Sequence, residues 1–238
     1  MNKANTINWC GYEWITQERW GQVHPEKPNW WYDETGVIID ESNNLHLLTH
    51  HNPKHFIDQN IFSFVGVGLV SCTEKFSYGE FEIEAKLPYG NNLWPAFWMW
   101  SWDSWPPEID VFEGYSDNNP NYLKLRLKNP LGFWNLQTNV HYNDEKGNKM
   151  TGGKTHYFGF KDPTKNFIKY KVEWRSDSIK FYYDNRLVRE ITDKKILNQF
   201  KNTTMNVIIN NGITKDANPT DINKSDFIIK YFKYNSYE

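Results

Sequence analysis

The sequence predicts an all-β protein, either an antiparallel sandwich or a barrel. Short alternating or apolar segments recur from about residue 36 onward, separated by Asn, Gly, Pro and Asp, which is typical of these folds. Helical patterning is thin: the best candidate, residues 193–201, is short and lies between two strands. The predicted strands cover residues 36–40, 44–50, 65–72, 78–87, 93–101, 107–113, 122–127, 136–142, 167–174, 178–183, 203–210 and 226–233.

One of these segments shows the two-residue period of a strand with one wet face. In residues 80–87, apolar and charged side chains alternate without a break. Because neighbouring side chains of a strand point to opposite faces, the apolar set is expected in the core and the charged set in solvent. The expected core residues are Phe81, Ile83, Ala85 and Leu87.

Length and patterning favour a single domain. The chain has 238 residues, a length that all-β sandwiches often reach as one unit. No internal repeat, low-complexity tract or linker interrupts the strand pattern. We therefore expect one domain over residues 1–238, and we expect it to be monomeric.

Charge and hydropathy exclude several classes of partner. The formal net charge is −2, with 27 basic and 29 acidic residues, so there is no basic excess to bind a nucleic-acid backbone. No stretch reaches the roughly 18 apolar residues of a membrane helix. The first residues lack the apolar run of a secretory signal. We expect a secreted or extracellular protein, whose signal would already be removed.

The two cysteines, Cys10 and Cys72, are too few for a disulfide scaffold. They have no His or Cys partner at zinc-ligand spacing, so no zinc site is predicted. The sequence leaves open whether they pair. No dense Asp loop typical of calcium is present either, and no metal or cofactor is assigned.

Aromatic residues are unusually abundant and suggest a ligand. They make up 17% of the chain and include 12 Trp. A Trp-rich core explains about half of these rings. The remainder are expected to be exposed, where flat apolar faces suit stacking on sugar-like ligands. The Trp-rich stretch 7–33 is expected either to form part of a cleft or to cap the core.

An acidic strand is the strongest functional signal. Within residues 107–114, Glu108 and Asp110 are expected on one face while Ile109 and Val111 point into the core. Strict alternation would place Glu113 on the opposite face. A one-residue bulge near residues 111–112 would return it to the face of Glu108, and we predict such a bulge.

Grouped carboxylates raise one another's proton affinity, so one can stay protonated while another is ionised. Glycoside hydrolysis needs this division of labour. The alternative is an exposed edge strand whose acids are solvated and have no catalytic role. The preceding Trp-rich segment argues against this interpretation. There, alternation places Phe97 and Met99 on one face and Trp98 and Trp100 on the other, so indoles and carboxylates would line one cleft.

The motif Glu108-Ile109-Asp110-Val111-Phe112-Glu113 closely resembles the Glu-x-Asp-x-x-Glu signature of glycoside hydrolase family 16. The preceding Trp94-Pro95-Ala96-Phe97-Trp98-Met99 is similar to the family's approach to that strand. Further similarity extends over residues 76–82, 170–174, 179–184 and 226–232. The resemblance thus covers roughly residue 65 to the C-terminus, and its six-residue motif matches the laminarinase, agarase and κ-carrageenase branch.

The resemblance implies a concanavalin-like β-jelly roll with a concave sheet and an open cleft for a linear polysaccharide. It also implies a retaining endo-β-glycanase in which Glu108 is the nucleophile, Glu113 the acid/base and Asp110 the residue that orients the nucleophile. Such a mechanism needs two carboxyl groups about 5 to 5.5 Å apart. Calcium occurs in many relatives, but none is assigned here.

Several side chains are candidates for binding sugar. His141 lies on a predicted strand, where a structural hydrogen-bonding role is the alternative. Asn210 and Asn211 would either bind hydroxyls or end their strand. Arg126, Lys124 and Lys128 would suit a sulfated glycan or simply a charged outer face. The predicted substrate-binding residues are Trp94, Trp98, Trp105, Trp134 and His141.

Two other functions fit the same pattern. A lectin-like binding module could share the fold, but it would gain nothing from three clustered carboxylates. A transglycosylase would share the covalent intermediate, so the motif does not separate it from a hydrolase. The glycan stays open between a β-1,3- or mixed-linkage glucan and an algal galactan.

Overall fold

The computed structural model describes residues 5–24, 27–51, 65–90, 92–114, 135–157, 161–214 and 224–237. A short helix, α1 (Lys194–Leu197), continues into a 3-10 turn at Asn198–Phe200, and another 3-10 turn covers Glu34–Gly36. The strands in chain order are β1 (Thr6–Trp9), β2 (Tyr12–Ile15), β3 (Val23–His24), β4 (Lys27–Tyr32), β5 (Val37–Ile39), β6 (Leu45–His51), β7 (Val65–Val67), β8 (Leu69–Cys72), β9 (Gly79–Lys86), β10 (Leu93–Trp100), β11 (Glu108–Gly114), β12 (Asn135–Asn143), β13 (Lys149–Thr151), β14 (Lys154–Tyr157), β15 (Ile168–Trp174), β16 (Ile179–Tyr183), β17 (Arg186–Ile191), β18 (Asn206–Ile213) and β19 (Ser225–Ser236).

These strands form two packed sheets, which confirms the predicted β-sandwich. The first sheet has the order β1-β2-β8-β18-β10-β11-β12-β13, with β14 also paired to β12. The second has the order β17-β16-β15-β9-β19-β6-β7-β4-β3, with β5 paired to β6. Apart from the parallel pair β4 and β7, the strands pair antiparallel among the described residues. Within the same residues, no helix is long and apolar enough to cross a membrane.

The main core lies between the two sheets and follows the predicted alternation. The apolar side chains of β9, such as Phe81, are fully buried at 0% exposed. Leu87, which directly follows the strand, is 1% exposed. Across the core, the first sheet contributes Phe97, Met99 and Ile109, all at 0% exposed. A second apolar cluster lies on the other face of the first sheet. Its members are Trp30, Tyr32, Val65, Val67, Leu69, Trp100, Ile208 and Ile213.

Most predicted elements are confirmed, with informative differences. The helix predicted at 193–201 forms as α1 and its 3-10 turn, where the Asp193 carboxylate caps the Lys195 amide at 2.8 Å. The strand predicted at 203–210 instead runs over Asn206–Ile213. Strand β17 was missed because its exposed face carries Leu187, so polar and apolar residues do not alternate. The strand predicted at 122–127 lies outside the described residues.

The cysteines are not paired with each other. Cys72 is fully buried in the main core. Cys10 is partly buried, and its sulfur accepts a hydrogen bond from the backbone amide of Phe232 at 3.3 Å. Burial raises the pKa of the Cys72 thiol to about 12, so it stays protonated and behaves as a small apolar side chain.

Candidate active site

A bulge in β11 places all three predicted catalytic carboxylates on one face of the first sheet. Against β10, Phe112 pairs with Phe97 and Asp110 with Trp98, so Val111 is an extra residue. The pairing with β12 shifts in the same interval, between Asp110 and Glu113. Val111 and Phe112 are both fully buried in the core, and Glu113 therefore returns to the cleft side, as the sequence predicted.

The bulge is anchored from the opposite sheet. The hydroxyl of Tyr183, on β16, donates a hydrogen bond to the backbone carbonyl of Val111 at 2.9 Å. A bulged residue leaves the regular ladder, so its buried carbonyl needs another donor. Tyr183 supplies this donor from within the core and fixes the position where the alternation changes.

Glu108 and Asp110 share one polar partner. The Nε2 atom of His141 lies 3.4 Å from Glu108 Oε1 and 3.4 Å from Asp110 Oδ2. The indole of Trp105 donates to Glu108 Oε2 at 2.7 Å. Asn139 places its amide nitrogen 3.2 Å from His141 Nε2 and thereby contacts the same group.

The electrostatics of Glu108 reflect this crowded setting. Burial, reinforced by the neighbouring Asp110 charge, raises the pKa of Glu108 well above its usual range. His141 and the hydrogen bond from Trp105 act in the opposite direction, and the Glu113 charge adds to the increase. Glu108 therefore depends on its two donors to hold a negative charge.

Glu113 is the next residue of β11 after Asp110 that faces the cleft. It lies opposite Ala96 of β10 and Gln137 of β12. The indole of Trp94 donates to Glu113 Oε1 at 3.1 Å. Each outer carboxylate of the motif thus receives an indole N–H, from Trp105 for Glu108 and from Trp94 for Glu113.

The three carboxylates lie in a cleft with a volume of about 540 Å³. Four predicted substrate-binding residues lie there with them, while the fifth, Trp134, falls outside the described residues, as do Arg126, Lys124 and Lys128. The residues that line the cleft are Trp20, His24, Trp30, Tyr32, Leu69, Trp94, Ala96, Trp98, Trp100, Trp105, Glu108, Asp110, Glu113, Gln137, Asn139, His141 and Asn210.

The indoles of β10 are held in fixed orientations. Trp98 donates to the side-chain oxygen of Asn210 at 2.8 Å, and the amide of Asn210 donates to the Trp94 carbonyl at 3.3 Å. Trp98 and Trp100 stack with ring centroids 6.4 Å apart and an interplanar angle of 21°. The neighbouring Asn211 is instead structural, because it is fully buried and donates to the carbonyl of Leu47 at 2.9 Å.

The N-terminal segment, for which the sequence left two roles open, performs both. Trp9 and Trp14 are buried in the main core. Trp20, His24 and Trp30 line the cleft as a chain of edge contacts, with centroid distances of 5.5 Å and 5.8 Å. Two further ring contacts connect this aromatic row to β10, Trp20–Trp100 at 5.5 Å and Trp30–Trp94 at 5.9 Å.

Sequence reasoning did not identify Gln137 and Asn139 as cleft residues, although a signal was present. They precede His141 by four and two positions on β12, so the same alternation places all three on one face. No comparable signal pointed to Trp20 or His24, because their position depends on long-range contacts.

One group in the described part of the chain has the spacing of a metal site. Glu108, Asp110 and His141 each offer a ligand atom, and these atoms lie within 4.8 Å of one another. The same side chains already contact each other and the Trp105 indole. No metal is therefore assigned.

Comparison with known proteins identifies the family. Residues 25–230 match the family model "Glycosyl hydrolases family 16". The chain is 26% identical over 186 residues to glucan endo-1,3-beta-glucosidase A1 of Niallia circulans, covering 74% of this chain and 25% of that protein. It is 29% identical over 118 residues to the beta-1,3-glucan-binding protein of Penaeus monodon, covering 47% and 31% of the two chains.

The fold is also found among solved structures. A Bacteroides ovatus mixed-linkage glucan GH16 protein, solved with a G4G4G3G product, superposes with a TM-score of 0.73 at 17% identity and covers 97% of each chain. At this identity the likeness concerns the fold alone. The family match spans most of the sequence and includes the acidic strand and its bulge. The chain belongs to family 16 of the glycosyl hydrolases.

Proposed function

We propose that this protein is a retaining endo-β-glucanase that hydrolyses a neutral β-1,3- or mixed-linkage glucan. The observation that carries the proposal is the bulge in β11, which brings Glu108, Asp110 and Glu113 to one face of an aromatic cleft. Retaining glycoside hydrolysis uses two carboxyl groups that flank the scissile bond, one as nucleophile and one as acid/base.

In the first step, the ionised carboxylate of Glu108 attacks the anomeric carbon and the glycosidic C–O bond breaks. Glu113 gives its proton to the departing oxygen. In the second step, a water molecule attacks the anomeric carbon, Glu113 takes its proton and the bond to Glu108 breaks. Asp110, beside Glu108 and bridged to it by His141, orients the nucleophile.

The neighbours of the two acids support these roles. Glu108 must be ionised to attack, and the Trp105 indole and His141 stabilise its charge against the effect of burial. Glu113 accepts a hydrogen bond from the Trp94 indole on one of its oxygens. Glu108 also has Asp110 and His141 beside it, so the two acids have different environments, as the two roles require.

The cleft wall favours a neutral glycan. Its described lining residues include seven aromatic side chains besides the two histidines, and no Lys or Arg. Aromatic rings stack on the apolar faces of sugars, whereas sulfate groups call for cationic partners. The Niallia circulans relative is named as a 1,3-β-glucan hydrolase, which agrees with a glucan. Trp94, Trp98, Trp105 and His141 are the proposed sugar contacts, together with Trp134.

A non-catalytic glucan-binding protein is the second candidate, because the Penaeus monodon relative carries that name. The intact acidic set argues against it. Packing three carboxylates together costs free energy, and a binder would gain nothing from this cost.

The chemistry has consequences for the protein's setting. Both steps use only carboxyl groups and water, so we propose that no cofactor is required and that activity survives dialysis against EDTA. A polymeric glucan does not cross membranes, so we propose that the protein acts outside the cell. We also propose that it acts as a monomer, because one chain supplies all three carboxylates and the aromatic cleft around them.

The test is reducing-end release from laminarin, lichenan, agarose, porphyran and κ-carrageenan. Wild type is compared with Glu108→Gln and with Glu80→Gln, a matched acid on β9 that lies away from the cleft. We expect release from laminarin or lichenan, lost in Glu108→Gln and kept in Glu80→Gln. Release from none of the five glycans, with laminarin binding retained by all three proteins, would instead support the binding protein.

A further inference from the structure

A turn before β3 carries a buried acid that the proposed mechanism does not use. The amide of Gly21 donates to the Glu18 carbonyl at 2.9 Å, which closes a tight turn over residues 18–21. Trp20 lies within this turn, lines the cleft and contacts Trp100 at a centroid distance of 5.5 Å. The position of Trp20 in the cleft therefore depends on this turn.

The Glu18 side chain is enclosed by protein. Glu18 is 0% exposed, and among the described residues neither of its carboxylate oxygens has a hydrogen-bond partner of good geometry. The adjacent Arg19 does not form an ion pair with it within that part of the chain, and its guanidinium instead lies over the Trp100 ring, 5.4 Å from the centroid. A buried carboxylate in such a place is costly unless it is protonated.

Three groups near Glu18 act on its ionisation in addition to burial. They are Arg19 on its own turn, Tyr32 on β4 and Glu108 on β11. Burial raises the pKa of Glu18 to about 8, and the Glu108 charge adds to this, whereas the Arg19 amide and guanidinium oppose it. Tyr32 is itself buried, with its pKa raised by burial and by Glu18, and it is hydrogen-bonded to Trp20.

We propose that Glu18 is a positioning residue, which as an uncharged carboxylic acid keeps the turn closed and holds Trp20 against Trp100 at one end of the sugar cleft. Ionisation would leave a buried charge without a hydrogen-bond partner among the described residues. Opening of the turn relieves this cost, because it admits water to the carboxylate. Opening also removes Trp20 from the cleft, so sugar binding weakens at alkaline pH. The effect on sugar rests on the proposed glucanase function.

The first test follows KM for laminarin between pH 6 and pH 9. A single group that ionises near pH 8 and abolishes binding raises the wild-type KM about tenfold between pH 7 and pH 9. In Glu18→Gln, whose side chain cannot ionise, KM should be equal at the two pH values. Glu13→Gln, an exposed acid on β2, should follow the wild type. The same rise in KM in Glu18→Gln and wild type would overturn the proposal.

A second test needs no glycan, so it separates this proposal from the proposed function. Tryptophan fluorescence of the wild type is followed from pH 6.5 to pH 9, and Trp20→Phe is measured in parallel. We expect a step with a midpoint near pH 8 that is absent in Trp20→Phe and in Glu18→Gln. A flat wild-type signal, or a step that Trp20→Phe retains, overturns the proposal even if Glu18→Gln does not fold.

Discussion

Strands β9 and β11 each present three carboxylates, yet one row forms a charged surface and the other lines the candidate active site. On β9, the acids occupy every second position, and each one has a lysine from a neighbouring strand. The pairs are Glu80–Lys171 at 3.0 Å, Glu82–Lys169 at 3.8 Å and Glu84–Lys230 at 2.6 Å. Their charges are neutralised at the edge of solvent, which is the ordinary condition of a strand with one wet face.

On β11, the acids instead meet indole and imidazole rings. Indole N–H groups contact the outer two, and an imidazole bridges the first two. Among the described cleft residues no lysine or arginine offsets their charge. The comparison teaches that a row of acids does not define a site by itself. The residues that the neighbouring strands present opposite each acid decide whether its charge is neutralised or kept available.

Replacing the outer acids of β11 should have the largest effect. Glu108→Gln and Glu113→Gln should each lower kcat on laminarin by at least about 10³-fold, because each removes a group that makes or breaks a bond. An aryl glucoside with a good leaving group needs no protonation. It should therefore restore rapid release of the aryl group in Glu113→Gln but not in Glu108→Gln. Equal restoration in both variants would contradict the assigned roles.

The neutral donor on Glu108 offers a sharper test. Trp105→Phe keeps a ring for stacking but removes the N–H that lowers the pKa of Glu108. The pKa of Glu108 should rise further, and because the nucleophile must be ionised, the acid limb of kcat/KM should move to higher pH. We expect roughly a tenfold loss at pH 6 and a smaller loss at pH 8. A uniform loss at every pH would assign Trp105 to sugar binding alone.

The hydrogen bond from Tyr183 to the bulge should contribute more to the free energy of unfolding than a similar hydrogen bond to β9. Tyr183→Phe leaves the buried Val111 carbonyl without its side-chain donor. The free energy of unfolding should fall by about 1–3 kcal/mol in urea titrations. Tyr231→Phe, which removes a hydroxyl that donates to Glu82 at 2.6 Å nearer to solvent, is the matched control and should cost less. A larger cost at Tyr231 would show that the bulge needs no anchor.

The smallest effect is expected on β9. Glu84→Gln removes an ion pair with a partly exposed lysine, so the free energy of unfolding should fall by less than about 1 kcal/mol. Its kcat/KM should stay within about twofold of wild type. A tenfold loss of activity would break the comparison, because it would give the surface acids a part in the reaction.

Much of the fold followed from local pattern. Two-residue alternation predicted which side chains of β9, β10 and β11 enter the core, and the misfit of Glu113 predicted the bulge. The segment before β3 was not predictable in the same way. Its aromatic residues reach the cleft only because β4 pairs with β7, far along the chain, and because Trp20 meets Trp100.

Glu18 illustrates the limit of local reasoning most clearly. In the sequence it stands between Gln17 and Arg19 and has the appearance of an ordinary surface acid. Its burial depends on a turn that folds it beneath the cleft wall, with Tyr32 from another sheet beside it. No pattern within ten residues carries that information.

The bulge at Val111 also determines how this site tolerates changes in chain length. The bulge shifts the alternation of β11 by one residue. The face to which every later side chain of the strand points therefore depends on the bulge. Substituting another apolar residue at position 111 preserves the phase. Deleting the residue would remove the bulge, and strict alternation would then still place Glu113 on the face of Glu108. Regular pairing that kept all six residues would instead turn Glu113 toward the core and Phe112 toward the cleft. The acidic strand is thus encoded by its residue count together with its bulge, because one residue between Asp110 and Glu113 suits a regular strand and two residues require a bulge.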